Sequence, residues 1–304
     1  MTDAMVMDLQ KVSWDCVTSP GRRQVLAAAG ALLASPFVRR RSAAAQEPIS
    51  FGLTPVFLTN DLELLTKLKT YLSRKCGRDV RLVQRRTYEE ITALLVSAQL
   101  HAAWICGYPF VAYHDQLSLV GVPVWRGRPL YQSYIITTQG RKASTLDDLK
   151  GDVHAFSDPN SNSGYLVTSS RLAASNRRPD QFFRQVFFTY GHRNVVRAVA
   201  AGLAHSGSVD GYVWEVMAEI EPDLTGKTSV ALRSEWLGFP PIACPRTIEG
   251  TAPVQAIKSA LLGMGDDEEG RRVLQLLRLD RFSDEQPSLF DAISAKMHQV
   301  RRLG

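Results

Sequence analysis

Trp104-Ile105-Cys106-Gly107-Tyr108-Pro109 closes a short apolar run that begins at Ala102. This is the composition of a buried strand whose carboxyl end breaks into a Gly/Pro loop. In open α/β sheets that edge is where solutes bind. Cys106 therefore stands where a soft, nucleophilic sulfur either meets a solute or plugs the loop as a small hydrophobe, since unpaired cysteines are among the most buried residues.

Residues 49–53 read as a first strand, followed by a loop at Thr54-Pro55, and Thr59-Asn60-Asp61 caps a helix over 62–75. A second strand spans 79–84 and a second helix 87–98, with Thr87 as N-cap and Glu90 completing a capping box. Strands at 102–106, 117–123 and 133–138 follow. Strands alternating with helices argue for a parallel sheet covered by helices.

The same grammar then repeats. A short helix at 145–150, a strand at 153–156, a helix at 164–175, a strand at 186–189, a helix at 194–202 and a strand at 211–213 are expected, and 230–233 leads back towards the first lobe. Residues 251–301 look helical, with breaks near Gly265 and Pro287. The expectation is a two-lobed α/β clamshell joined by two crossovers. One lobe is 47–138 plus 236–304, the other 139–235, and the cleft lies between the carboxyl edges of both sheets.

The chain of 304 residues has a net charge of +6, but residues 1–45 contribute half of that excess. There the pair Arg22-Arg23 precedes an Ala/Leu-rich run to Val38, then Arg39-Arg40-Arg41 and Ala43-Ala44-Ala45. Twin arginines, a moderately apolar core and an Ala-x-Ala-like site describe a twin-arginine export leader and a periplasmic address. Gly21 stands where that motif usually has Ser or Thr. No later apolar segment is long enough to span a bilayer, and no Lys/Arg stripe interleaved with aromatics suggests nucleic acid. With Cys16 in the leader, Cys76, Cys106 and Cys244 remain, an odd number that leaves at least one free thiol in an oxidising compartment. Cys76 ends a helix on the side away from the expected cleft.

Asp158-Pro159-Asn160-Ser161-Asn162-Ser163-Gly164-Tyr165 runs from a strand edge into a helix. Helix starts offer unpaired N–H groups and partial positive charge, which suit oxyanions, and Ser and Asn are also ordinary caps. His192, after Gly191, opens the next helix and either points into the cleft or caps. Asp210 binds a solute hydroxyl, braces His192 or simply makes a turn. Tyr108, Tyr131 and Tyr134 either reach the cleft or pack in the core. There is no P-loop, GxSxG, HExxH or CxxC. A binding protein without cofactor is therefore expected rather than an enzyme, the catalytic alternative being Cys106 as nucleophile with His192 as base.

Residues 103–111, the 158–165 stretch, and Gly191-His192 followed by 197–202 and Asp210 resemble the PhnD-type periplasmic binding proteins. The resemblance covers about 49–246 and implies a type II periplasmic binding fold with phosphate, phosphite or phosphonate held between the lobes. It implies ligand contacts from Ser161, Asn162, Ser163, His192 and Asp210, with Tyr108 lining the cleft, and Gly164 is expected at the ligand as part of the Ser161–Gly164 helix start. Within the family, the Cys106-Gly107 pair is similar to arsenite-binding regulatory members. That likeness implies that Cys106 holds trivalent arsenic, a soft centre preferring thiolate, and that the periplasmic domain of a sensor histidine kinase is the partner. The alternative is a transport-linked protein that delivers phosphonate, phosphite or another oxyanion to an ABC permease and has no need of Cys106.

Overall fold

The computed structural model describes residues 47–54 and 62–303; the export leader read at 1–45 lies outside them. The strands are β1 (Ile49–Leu53), β2 (Val80–Gln84), β3 (Ala102–Trp104), β4 (Leu117–Val124), β5 (Leu130–Tyr131), β6 (Ser133–Thr138), β7 (Val153–Phe156), β8 (Gln185–Phe188), β9 (Ser206–Asp210), β10 (Thr228–Arg233), β11 (Leu237–Gly238), β12 (Ile242–Pro245) and β13 (Arg281–Ser283). They form a six-stranded sheet of order β13-β4-β12-β3-β1-β2 and a five-stranded sheet of order β10-β6-β9-β7-β8. The two-lobed α/β architecture expected from the sequence is what the chain adopts.

In the first lobe β1 is buried along its whole length and pairs in parallel with β2 and β3. Helices Leu62–Cys76 and Tyr88–Val96 supply the crossovers, and Tyr71 and Leu72 of one and Tyr88, Ile91 and Leu95 of the other are buried. The capping box of the second helix forms as read, Thr87 and Glu90 exchanging side-chain and backbone bonds. In the second lobe β7 pairs in parallel with both β8 and β9. The two crossovers meet as a small antiparallel ribbon, with Leu237 opposite Tyr131 and Gly238 opposite Leu130.

Several boundaries differ from the sequence reading. Residues 133–138, assigned to the first lobe, are β6 of the second sheet, antiparallel to β9 and β10. Residues 230–233 pair with β6 in that same sheet, and the chain returns through β11 and β12, the latter inserted antiparallel between β3 and β4. The strand expected at 211–213 is instead the start of helix Gly211–Ile220, and the strand precedes it as β9. Ser206-Gly207-Ser208 looks like a loop because it is small and polar. Smallness is what the packing requires there, since a Cβ on Gly207 would lie 2.5 Å from Val195 Cγ1. The Gly/Pro loop after β3 is a short helix, Gly107–Ala112, with Pro109 in its first turn, where a missing N–H costs nothing. Helices Ala252–Leu262 and Glu268–Leu277 pack on Leu62–Cys76, while the last helix, Asp291–Arg301, lies against both Gly107–Ala112 and Val167–Ala173 and so touches both lobes. Among the described residues no helix is long and apolar enough to cross a membrane.

Candidate functional site

The polar stretch after β7 folds as a tight cradle. Asp158 Oδ1 accepts the Asn160 N–H at 2.7 Å, and Ser161 Oγ accepts the Gly164 N–H at 2.9 Å as an N-cap. The first turn, Asn162–Leu166, is π-helical, the Leu166 N–H reaching the Ser161 carbonyl at 3.0 Å. Such turns are uncommon and recur at functional sites. As the first residue of the turn, Asn162 has no intrahelical partner for its N–H, which donates to Cys106 Sγ at 3.1 Å. Asn162 Nδ2 donates to the Tyr131 hydroxyl at 2.8 Å. Asn162 Oδ1 and Ser157 Oγ are buried without a hydrogen-bond partner among the described residues.

Opposite this turn the first lobe presents Cys106 and Tyr88. Cys106 is the N-cap residue of Gly107–Ala112 and is 2 % exposed. Burial pushes its thiol up to about 12, partly offset by the Asn162 and Tyr108 N–H groups that face the sulfur. Tyr88 opens its helix, and its backbone N–H donates to Asp158 Oδ2 of the other lobe at 3.2 Å. Its hydroxyl lies 3.1 Å from His192 Nε2. The roles in that contact follow from the network, because His192 Nδ1 accepts the Asp210 N–H at 3.1 Å and must be unprotonated. The proton then resides on Nε2, which donates to the Tyr88 oxygen and leaves the phenolic proton available. Burial holds His192 down at about 3, consistent with a neutral ring. Asp210 caps Gly211–Ile220 through the Val213 N–H, and burial raises its carboxyl to about 7.

The structure thus gathers Cys106, Tyr131, Asn162, Ser163, Gly164, His192 and Asp210 at the junction of the lobes, with Ser161 as the cap beneath them. Ser163 takes a hydrogen bond from Ser133 Oγ on its carbonyl at 2.7 Å, and its side chain faces the Tyr131 hydroxyl. Tyr108 contributes its N–H to Cys106, but its half-buried phenol lies towards Tyr165 and Arg301. Tyr134 bonds to Glu215 instead of entering the junction. Cys76, Cys106 and Cys244 are all free thiols. Sequence reading missed Tyr88, Ser157 and the interlobe role of Asp158. The capping box at Thr87 already marked the helix start that Tyr88 opens, and that was the signal. Among the described residues no group of three or more His, Cys, Asp or Glu is placed to hold a metal ion.

Residues 51–290 match the family model of the periplasmic substrate-binding protein of phosphonate ABC transporters. The chain belongs to this family. Its fold is shared with solved phosphonate-binding proteins. The binding-protein component of an ABC phosphonate transporter from Pseudomonas aeruginosa superposes with a TM-score of 0.77 at 20% identity, over 84% of this chain and 88% of that one. PhnD1 from Prochlorococcus marinus, in complex with methylphosphonate, gives 0.75 at 15% identity, over 83% and 98%. As a member of this family of phosphonate-binding proteins, the chain is a periplasmic solute-binding protein of the type II architecture.

Proposed function

We propose that this chain takes up a small phosphonate, phosphite or related oxyanion between its lobes and delivers it to an ABC permease. The observation that carries this reading is the junction itself. Helix starts of one lobe meet Tyr88, Cys106 and Tyr131 in direct hydrogen-bond contact, with Asn162 Oδ1 and Ser157 Oγ buried and unpaired. Unpaired buried polar atoms are costly, and a hydrogen-bonding guest is what relieves the cost. The cluster contains no Lys or Arg. An oxyanion is held there by N–H and O–H dipoles, as at other helix starts, and a protonated guest oxygen finds acceptors in Asn162 Oδ1 and the Asp210 carboxylate.

A second reading is favoured by one observation: the Cys106 sulfur is unbridged and sits at the lobe junction. Arsenite, a neutral trihydroxide at pH 7, would condense with this thiol. An As–S bond forms, and the thiol proton leaves with one arsenite hydroxyl as water. The partner would then be the periplasmic domain of a sensor kinase. The family match and the phosphonate-binding neighbours support transport over this arsenite reading.

Calorimetry on the wild-type chain and Cys106→Ser, with methylphosphonate, phosphite, phosphate and arsenite, separates the two. Micromolar binding of one phosphorus oxyanion by both proteins, with indifference to arsenite, is the expected result. Binding of arsenite alone, lost in Cys106→Ser, would replace the transport reading with the sensor.

A further inference from the structure

The outer cleft carries the charge that the inner cluster lacks. Above the Tyr88–His192 contact, the two lobes face each other across an open groove of about 680 Å³, whose lining includes Arg85, Arg86, Glu90, Thr189, Tyr190 and Asn194. Arg86 lies two residues before Tyr88, and Tyr190 two before His192. Both walls of the groove therefore border the buried Tyr88–His192 contact, which closes the inner site.

The groove has positive charge to offer. Arg85 and Arg86 are exposed. The Glu90 carboxylate is already engaged, its Oε2 accepting from Arg86 N, Thr87 N and Thr87 Oγ1 at 3.2, 3.0 and 3.0 Å. Tyr190 is 46 % exposed and has φ +52°, a left-handed conformation that a tyrosine adopts only at an energetic cost. Strained residues of this kind concentrate at sites that bind or switch. The left-handed turn brings an aromatic ring to the wall opposite two guanidinium groups.

Resting on the reading of the inner site as a phosphonate site, we propose that Arg85, Arg86 and Tyr190 form a subsite for the guest's organic substituent. The subsite selects phosphonates that carry a second anionic group, a carboxylate, two or three carbons from phosphorus. The phosphonate head enters the neutral cluster, the Tyr88–His192 contact parts as the lobes open, and the tail leaves between them. Its carboxylate meets the guanidinium groups, which recognise planar oxyanions in paired hydrogen bonds.

The test is calorimetry on the full chain with methylphosphonate, propylphosphonate and 3-phosphonopropionate, in wild type and the double variant R85Q/R86Q. Both arginines are exposed, and the capping box uses only the Arg86 backbone. In wild type the carboxylated probe is expected to bind at least tenfold more tightly than propylphosphonate, and in the double variant the ratio falls towards one. Methylphosphonate binding without preference for the carboxylated probe would overturn the subsite and leave the transport reading standing. An equal loss on all three probes in the variant, screened by salt, would assign the arginines to general anion steering instead. Failure of wild type to bind any of the three removes both readings.

Discussion

Gly164 shows how little space the cradle leaves. A Cβ there would fall 1.8 Å from Ser157 Oγ and 3.0 Å from His192 Cε1. Gly164→Ala is therefore expected to cost about 2 kcal/mol or more, in the range of overpacked cores. Ser157→Gly in the same chain should recover most of that loss, and urea denaturation of the two single variants and the double variant measures the coupling. An additive cycle would show that the clash is relieved elsewhere. At this scale the site was partly legible. Ser161, Asn162, Ser163, His192 and Asp210 announce themselves because turn and cap chemistry is local. Tyr88 does not, because its hydroxyl acquires meaning only from a histidine 104 residues further along the chain.

Helices rather than single side chains bring the lobes together. The Tyr88–Val96 helix belongs to one lobe, yet the carboxylate facing its N-terminal N–H groups is Asp158 of the other, buried at 1 % exposure. An acidic group at a helix N-terminus is favourable, and a charge-assisted bond of this kind contributes about 1.5 kcal/mol or more. Asp158→Ala should therefore shift the lobes towards an open form and weaken ligand binding about tenfold. Small-angle scattering reads the opening as a larger radius of gyration, and calorimetry reads the affinity. Asp158→Asn, which keeps one acceptor oxygen, should fall between the two. A radius unchanged from wild type in Asp158→Ala would show that closure does not depend on this contact. The element pattern was largely visible in the sequence where strands are apolar and helices capped. It failed at β9, β12 and β13, which are short, interrupted by Gly or Pro, or half polar.

Taken as a whole, the protein buries ionisable groups that titrate in opposite senses. His154 sits between Ser206 and Ser208 at 2.8 Å from each and stacks on Phe183, and burial lowers it from 6.5 to about 3. His192 is lowered to the same value. Between pH 4 and 6 each histidine takes up a proton only when unfolded. Each therefore supports a stability that is full above pH 6.5 and declines on acidification towards pH 3. Asp210 runs the other way. Its carboxyl, raised from 3.8 to about 7, holds a proton in the native state that the unfolded chain releases, so its contribution is full below pH 3.8 and is lost as pH rises through 7. The stability of wild type minus that of His154→Asn is expected to rise by about 1.4 kcal/mol per pH unit from pH 4 to 6, and Asp210→Asn should steepen the wild-type slope. Urea midpoints across that range check both. A pH-independent difference for His154→Asn would mean that this histidine is protonated in the native state.

Alternation of apolar strands with capped helices determined the class of fold, and the 158–164 stretch, His192 and Asp210 marked one jaw, because each signal depends on neighbours a few residues away. The tertiary structure alone decided that 133–138 joins the second sheet, that β12 returns between β3 and β4, and that Tyr88, Cys106 and Asn162 meet across the gap. Those outcomes depend on which surfaces pack together over separations of 50 residues or more, and such pairings are set by shape and burial that no local window of sequence contains.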